Sequence, residues 1–253
     1  MGSQTPKILL LQARHPGDPM LEHERRCFAR RCKLPTEAFR VVNMARGCPG
    51  EHLLEDVDAV MIGGAGEFSL AERNFEWCDD LLAFMRALAD RDIATFASCF
   101  GFQALAVAFG GRIESDPTRS EVGTFEVVLT PEGRRDPFFG SYPDRFDAQF
   151  GHNDSVTELP EEFIWLARSS RCDYQAIRHR SAPIVATQFH PELAMSDNID
   201  RYVAYLQNYE ADGVSLEEAR KKARKIHRES PHASNLLCAF VDQVLQSKKK
   251  RGA

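Results

Sequence analysis

"FASCFGFQALA", Phe96 to Ala106, decides how this chain is read. An apolar run, "IATFA" (Ile93–Ala97), leads into a corner, and an apolar stretch at helical spacing follows it. Cys99 sits at the corner. A strand–nucleophile–helix corner holds its central residue in a strained conformation and points the side chain outward. Backbone segments crowd there, so small neighbours are needed, and Ala97 and Gly101 stand two positions either side of Cys99. The start of the following helix favours thiolate through its dipole. The Phe100 N–H would point at a developing oxyanion. The same residues also suit a small, inert core cysteine, because free cysteine packs well. Cys99 alone leaves both readings open.

Outward from the corner, short apolar runs alternate with helical segments. "ILLLQ" (Ile8–Gln12), "FRVVN" (Phe39–Asn43) and "DAVMIGG" (Asp58–Gly64) read as strands. "MLEHERRCFARR" and "FEWCDDLLAFMRALADR" carry apolar residues at helical spacing, and "FGFQALAVAFGG" is a helix closed by a glycine pair. This β-α order predicts an α/β, three-layer, flavodoxin-like fold, with a mostly parallel sheet and helices on both faces. After Gly111 the texture changes. "GTFEVVLT", "FDAQFGH", "FIWLARSS", "YQAIRHR" and "IVATQFH" predict a small antiparallel extension and a return to the sheet. A helix capped near Ser196 and stopped near Gly213 follows.

Residues 1–213 then form one domain, and 214–253 a C-terminal extension of two helices and a basic tail. Ser215 and Glu218 have capping-box spacing, and Pro231 after Ser230 reads as a helix start. The apolar stripes Leu216/Ala219/Ala223/Ile226 and Leu236/Leu237/Phe240/Val241/Val244 must be buried, on the parent domain or in an interface.

Composition narrows the classes. The chain has 253 residues and a formal net charge of -5, which argues against a nucleic-acid surface. No apolar run approaches the ~18 residues of a membrane span. Seven cysteines without regular spacing give neither a disulfide framework nor a zinc motif. Reduced cytoplasm is the simplest compartment. No metal or cofactor is expected. No GxxxxGK[ST] loop is present, so no ATP-using synthetase domain is expected.

A thiol nucleophile needs a base, and the base needs an orienting group. "ATQFHPEL" offers both: His190 ends a strand, Pro191 stops it, and Glu192 can turn back to the imidazole. Here the chain resembles the class I, triad-type glutamine amidotransferases, such as the glutaminase domains of GMP synthetases. The family elbow Gly-x-Cys-x-Gly-x-Gln is matched by Ala97-Ser98-Cys99-Phe100-Gly101-Phe102-Gln103, with Ala97 in place of the first glycine. His190-Pro191-Glu192 matches the second signature. "GHNDSVTELP" resembles the His-x-Asp-x-Val segment at His152 and Asp154. "MIGGAGEFS" resembles the Gly-rich oxyanion loop, with Ala65 where Pro is common. The resemblance runs from about Lys7 to Glu210.

The resemblance implies that Cys99 attacks the side-chain amide of glutamine, that His190 is the base, and that Glu192 orients it. It implies an oxyanion hole from the N–H groups of Phe100 and of Gly64 or Ala65. It places the amino-acid end of the substrate near Gln103 and near backbone at Gln149, Phe150 and Gly151. Three functions stay open: an amidotransferase subunit passing ammonia to a separate synthetase, a free-standing hydrolase of γ-glutamyl compounds, and a non-catalytic binding protein keeping the fold.

Overall fold

A computed structural model describes residues 5–209 and 213–251. Strand β1 (Ile8–Ala13) shows why the first residues are apolar without alternation. Ile8 and Leu10 enter one apolar cluster, and Leu9 and Leu11 enter another on the opposite face. Both faces of the sheet are therefore buried, as parallel strands require.

Five strands run parallel in the order β2 (Phe39–Asn43), β1, β3 (Ala59–Ala65), β4 (Thr95–Ser98) and β11 (Ile184–Thr187). The sheet continues through β10 (Ala176–His179), β9 (Phe163–Arg168), β6 (Glu121–Leu129) and β7 (Arg145–His152), all paired antiparallel. The antiparallel part is four of the nine strands of the main sheet, formed by the segments read as the extension. A second, two-stranded sheet pairs β5 (Arg112–Ser115) with β8 (Asp154–Glu158). These short, half-polar strands carry no apolar run that would announce them.

Helix α1 (Met20–Cys32) covers one face, and α2 (Cys78–Asp90) and α3 (Phe100–Ala108) cover the other. A short helix, α4 (Pro131–Arg135), follows β6, and α5 (Met195–Ala204) follows β11. The cap of α5 is not Ser196: the Asp197 carboxylate accepts the Ala194 N–H at 2.7 Å. Helix α6 (Leu216–Ile226) opens with the expected reciprocal pair, Ser215 and Glu218. It buries Ala219 and Ala223 but leaves Leu216 64 % exposed. Helix α7 (Leu236–Arg251) starts five residues after Pro231, behind a 3-10 turn at Ala233–Asn235.

Leu236, Leu237, Phe240, Val241 and Val244 of α7 are buried in the cluster that holds Phe28 and Phe96. The Phe240 ring meets Phe96 edge-on at 5.7 Å. The last helix is thus packed on the sheet beside α1, the first of the two alternatives for its stripe. In the basic tail, Lys248 pairs with Asp58 at 2.8 Å. Among the described residues no helix is long and apolar enough to cross a membrane.

Candidate active site

Strand β4 ends at Ser98, helix α3 begins at Phe100, and Cys99 between them has φ 50° and ψ -103°. A non-glycine residue in the left-handed half of backbone space costs about 1–3 kcal/mol and persists only where its surroundings fix it. Both backbone groups of Cys99 are fixed. Its N–H donates to Thr187 O at 2.8 Å, and its carbonyl accepts from Gln103 N at 3.0 Å. Gly101 is obligatory here: a Cβ on it would lie 2.8 Å from Ile62 Cβ and 3.0 Å from Ala97 Cβ. The methyl of Ala97 is therefore accommodated because Gly101 carries none.

The thiol lines a cavity of about 360 Å³ and accepts a hydrogen bond from the Phe100 N–H. Burial, and then the charge of Glu192, push its pKa up to about 12, outweighing Arg201 and the Phe100 N–H. Burial thus works against the thiolate preference of the helix start.

His190 reaches the corner from the neighbouring strand. Thr187 of β11 pairs with Ser98 of β4, so both strands end side by side. The His190 N–H donates to Gln149 O at 2.8 Å. His190 Nδ1 lies 2.7 Å from Glu192 Oε1 and 3.3 Å from Arg201 Nη1. A nitrogen that donates to the carboxylate cannot also accept from the guanidinium. The shorter, charge-assisted contact decides it: Nδ1 carries the proton and Nε2 keeps its lone pair. Burial lowers the imidazole pKa, with Glu192 opposing and Arg201 assisting. Burial alone would raise Glu192, but His190 and Arg201 hold it down to about 2. No hydrogen bond joins Cys99 Sγ to His190 among the described residues. Gly64 lies against the imidazole, where a Cβ would come 2.7 Å from His190 Cε1.

The expected oxyanion residues Ala65 and Phe100 line the cavity, as do Gln103, Gly151, His152 and Asp154. The Gln103 amide donates to Asp154 O at 3.0 Å and to Gln188 Oε1 at 3.2 Å. His152 bridges Asp154 O at 2.9 Å and Glu121 Oε2 at 3.1 Å, and Ser69 Oγ donates to Asp154 Oδ2 at 2.6 Å. The segment after β7 is thus clamped from three sides.

Gln149 and Phe150, expected near the substrate, already have partners within the protein. The Gln149 carbonyl is taken by His190, and its side chain turns to Arg228 O and Ser230 Oγ. Phe150 is fully buried against Phe189, and its carbonyl accepts from Asn198. The cavity-facing member of the three is Gly151.

Sequence reading missed the groups behind the imidazole. Glu24 of α1, Arg14 and Arg201 of α5 are buried together there. Glu24 sits in a helix whose other charges face solvent, and linear spacing carries no signal that this one turns inward. Two clusters, Glu121–His152–Cys172 and His23–Cys27–Asp197, have ligand-type atoms in reach of one another. In the first, imidazole and carboxylate already bond directly. In the second, the Arg30 guanidinium bonds Asp197 where a cation would sit.

Residues 36–206 match the family model of class-I glutamine amidotransferases. A glutamine-hydrolyzing GMP synthase subunit from Methanothrix thermoacetophila is 35% identical over 155 residues, 60% of this chain and 78% of that protein. Its counterpart from Methanopyrus kandleri is 32% identical over 148 residues, 58% of this chain and 73% of that protein. In structure the chain is similar to a glutamine amidotransferase from Thermotoga maritima, with a TM-score of 0.73 at 19% identity, covering 96% of this chain and 99% of that one. A glutamine amidotransferase from Methylobacillus flagellatus shares the fold with a TM-score of 0.67 at 19% identity, covering 97% and 95%. The chain belongs to the class-I glutamine amidotransferase family.

Proposed function

We propose that the chain hydrolyses the side-chain amide of glutamine through Cys99, His190 and Glu192. The observation that carries this is a strained Cys99 facing a cavity, with His190 just past the end of the adjacent strand and locked at Nδ1 by a buried carboxylate. His190 Nε2 takes the thiol proton as Sγ bonds to the amide carbon. The C–N bond then breaks as that proton passes to departing ammonia, leaving a γ-glutamyl thioester. Water, deprotonated by His190, cleaves the thioester and frees glutamate. Starting from a neutral thiol, proton transfer accompanies attack. The N–H groups of Phe100 and of Gly64 or Ala65 hold the oxyanion, each worth about 10²–10³ in rate.

The relatives are named as one subunit of a glutamine-hydrolyzing GMP synthase. By that likeness the chain is the glutaminase half of a two-part enzyme and delivers ammonia to a separate synthetase subunit. Glutamine hydrolysis by the purified chain, with and without such a subunit, tests both statements. Weak activity that rises on addition supports the subunit role. Absence of hydrolysis in both arms contradicts the chemistry.

A second cavity favours one alternative. It measures about 430 Å³, shares Ser115, Asn153, Asn208 and Tyr209 with the first, and reaches Ile226 of α6. Ammonia needs no such room, but the leaving group of a larger γ-glutamyl amide does. A γ-glutamyl dipeptide preferred over glutamine by tenfold, about 1.4 kcal/mol of transition-state discrimination, would make the chain a free-standing γ-glutamyl hydrolase.

A further inference from the structure

Glu192 is fully buried, and its Oε2 has no hydrogen-bond partner among the described residues. Its Oε1 accepts from His190 and lies 3.5 Å from Arg201 Nη1. A buried carboxylate held by a single imidazole is costly unless a cation offsets its charge. Arg201 supplies that cation. It is itself buried, and its Nη2 lies 3.4 Å from Glu24 Oε1. Glu24 is held in turn by Arg14 Nη2 at 2.9 Å, Arg14 Nε at 3.3 Å and Gln12 Nε2 at 2.9 Å. Arg14 ends on the Tyr205 hydroxyl, which bonds Asp18.

The glycines of β3 make room for this arrangement. A Cβ on Gly63 would strike the Glu24 carboxylate, and one on Gly64 would strike His190. The pair read as an oxyanion loop therefore also admits the acid and the imidazole.

We propose that Arg201, spanning Glu24 and Glu192, is a positioning residue of the reaction, fixing Glu192 and through it the imidazole of His190. This rests on His190 being the base. The tetrad Glu192–Arg201–Glu24–Arg14 carries two anions and two cations. It holds the orienting carboxylate charged without surrounding the imidazole with net negative charge. The charged or titratable groups facing His190 are Glu192 on its own turn, Arg201 on α5, Glu24 on α1 and Cys99 at the elbow. Neither Arg201 nor Glu24 lines the cavity beside Cys99.

Removing a cation and removing an anion at this tetrad should act oppositely on His190, which loss of packing alone would not do. The test is the titration of the His190 ring by NMR, assigned against His190→Asn, with glutamine kinetics alongside. In Arg201→Gln the midpoint should rise by about 1 pH unit. The kcat should fall by about 10²-fold with KM little changed. In Glu24→Gln the midpoint should fall. Arg201→Lys should restore the midpoint and only part of kcat, because one ammonium cannot reproduce the fork. Midpoints that stay put or move together in Arg201→Gln and Glu24→Gln would overturn the proposal. If Arg201→Gln does not fold, the direction of the Glu24→Gln shift, with or without rescue by Arg201→Lys, decides. The titration needs no turnover, so the two failures are distinguishable: a wild type inactive on every γ-glutamyl amide would overturn the hydrolase reading, whereas midpoints that fail to shift oppositely in an active enzyme would overturn the role of Arg201 alone.

Discussion

Besides Cys99, two cysteines among the described residues, Cys27 and Cys172, lie near a histidine and a carboxylate, and neither lines the cavity that Cys99 lines. Cys27 Sγ, within α1, lies 3.8 Å from His23 Nδ1, and His23 Nε2 lies 3.7 Å from Asp197 Oδ1. Cys99 stands beside His190 and Glu192. Burial pushes the Cys27 and Cys99 thiols up to about 12. Acidity therefore does not tell them apart. The backbone does: Cys27 is one residue of a continuous helix, whereas Cys99 is pinned at φ 50° between a strand and a helix. The cavity does too, since Cys99 is on its wall and Cys27 is not. Arg30 donates to the sulfur of Cys27 and bonds Asp197, so the imitation triad is closed off by its own cation. A nucleophile in this fold is made by the corner that carries it.

The largest effect should come from Cys99→Ala. Glutamine hydrolysis should fall by about 10⁴-fold or more with the fold intact, as when a nucleophile acting in a concerted set is removed. Residual activity near wild type, with circular dichroism unchanged, would move the nucleophile elsewhere. Gly64→Ala comes next. The new methyl overlaps the imidazole, and displacing a base by about 1 Å costs about 10²-fold. A crystal structure of the variant should show the ring shifted, and full activity with an unshifted ring would contradict the placement.

The pH profile tests the burial of His190 and Cys99 without mutation. A protonated imidazole cannot accept the thiol proton. Since burial lowers the His190 pKa, kcat/KM should fall only as pH drops through a midpoint below 6.5. With the thiol at about 12, no second limb belongs to Cys99 across the neutral range. A midpoint clearly above 6.5, or a Cys99 limb near 8–9, would mean that burial does not govern these groups. The smallest effect should be that of Cys27→Ala, whose turnover should match the wild type in a steady-state assay.

The parallel half of the sheet was legible because its strands are buried on both faces and so read as unbroken apolar runs. The elbow was legible because crowding there demands Ala97 and Gly101 around Cys99. The strands β5 and β8 were hidden, since each contributes a single large apolar residue, Ile113 and Val156, to the core, too few to make a pattern. Helix α7 read as an added piece because its stripe shows that a surface must be covered, not which one. The groups behind His190 were hidden for a different reason. Glu24, Arg14 and Arg201 are brought together by α1, the end of β1 and α5, and no local pattern distinguishes a buried charge from a solvated one. On β7 the alternation turns the Phe150 side chain to the face opposite Gly151, whereas Gln149 shares Gly151's face and has its side chain taken by Arg228 O and Ser230 Oγ.

The central claim is that the corner, not the presence of a thiol near an imidazole, selects the nucleophile. A glutamine analogue bearing an electrophilic carbon in place of the amide, followed by peptide mapping, tests it directly. All seven cysteines are free in the structure, so none is shielded from the reagent by a disulfide. The account predicts label on Cys99 alone, lost in Cys99→Ala and prevented by excess glutamine. Label on Cys27, or on any other cysteine while Cys99 stays unmodified, would contradict it.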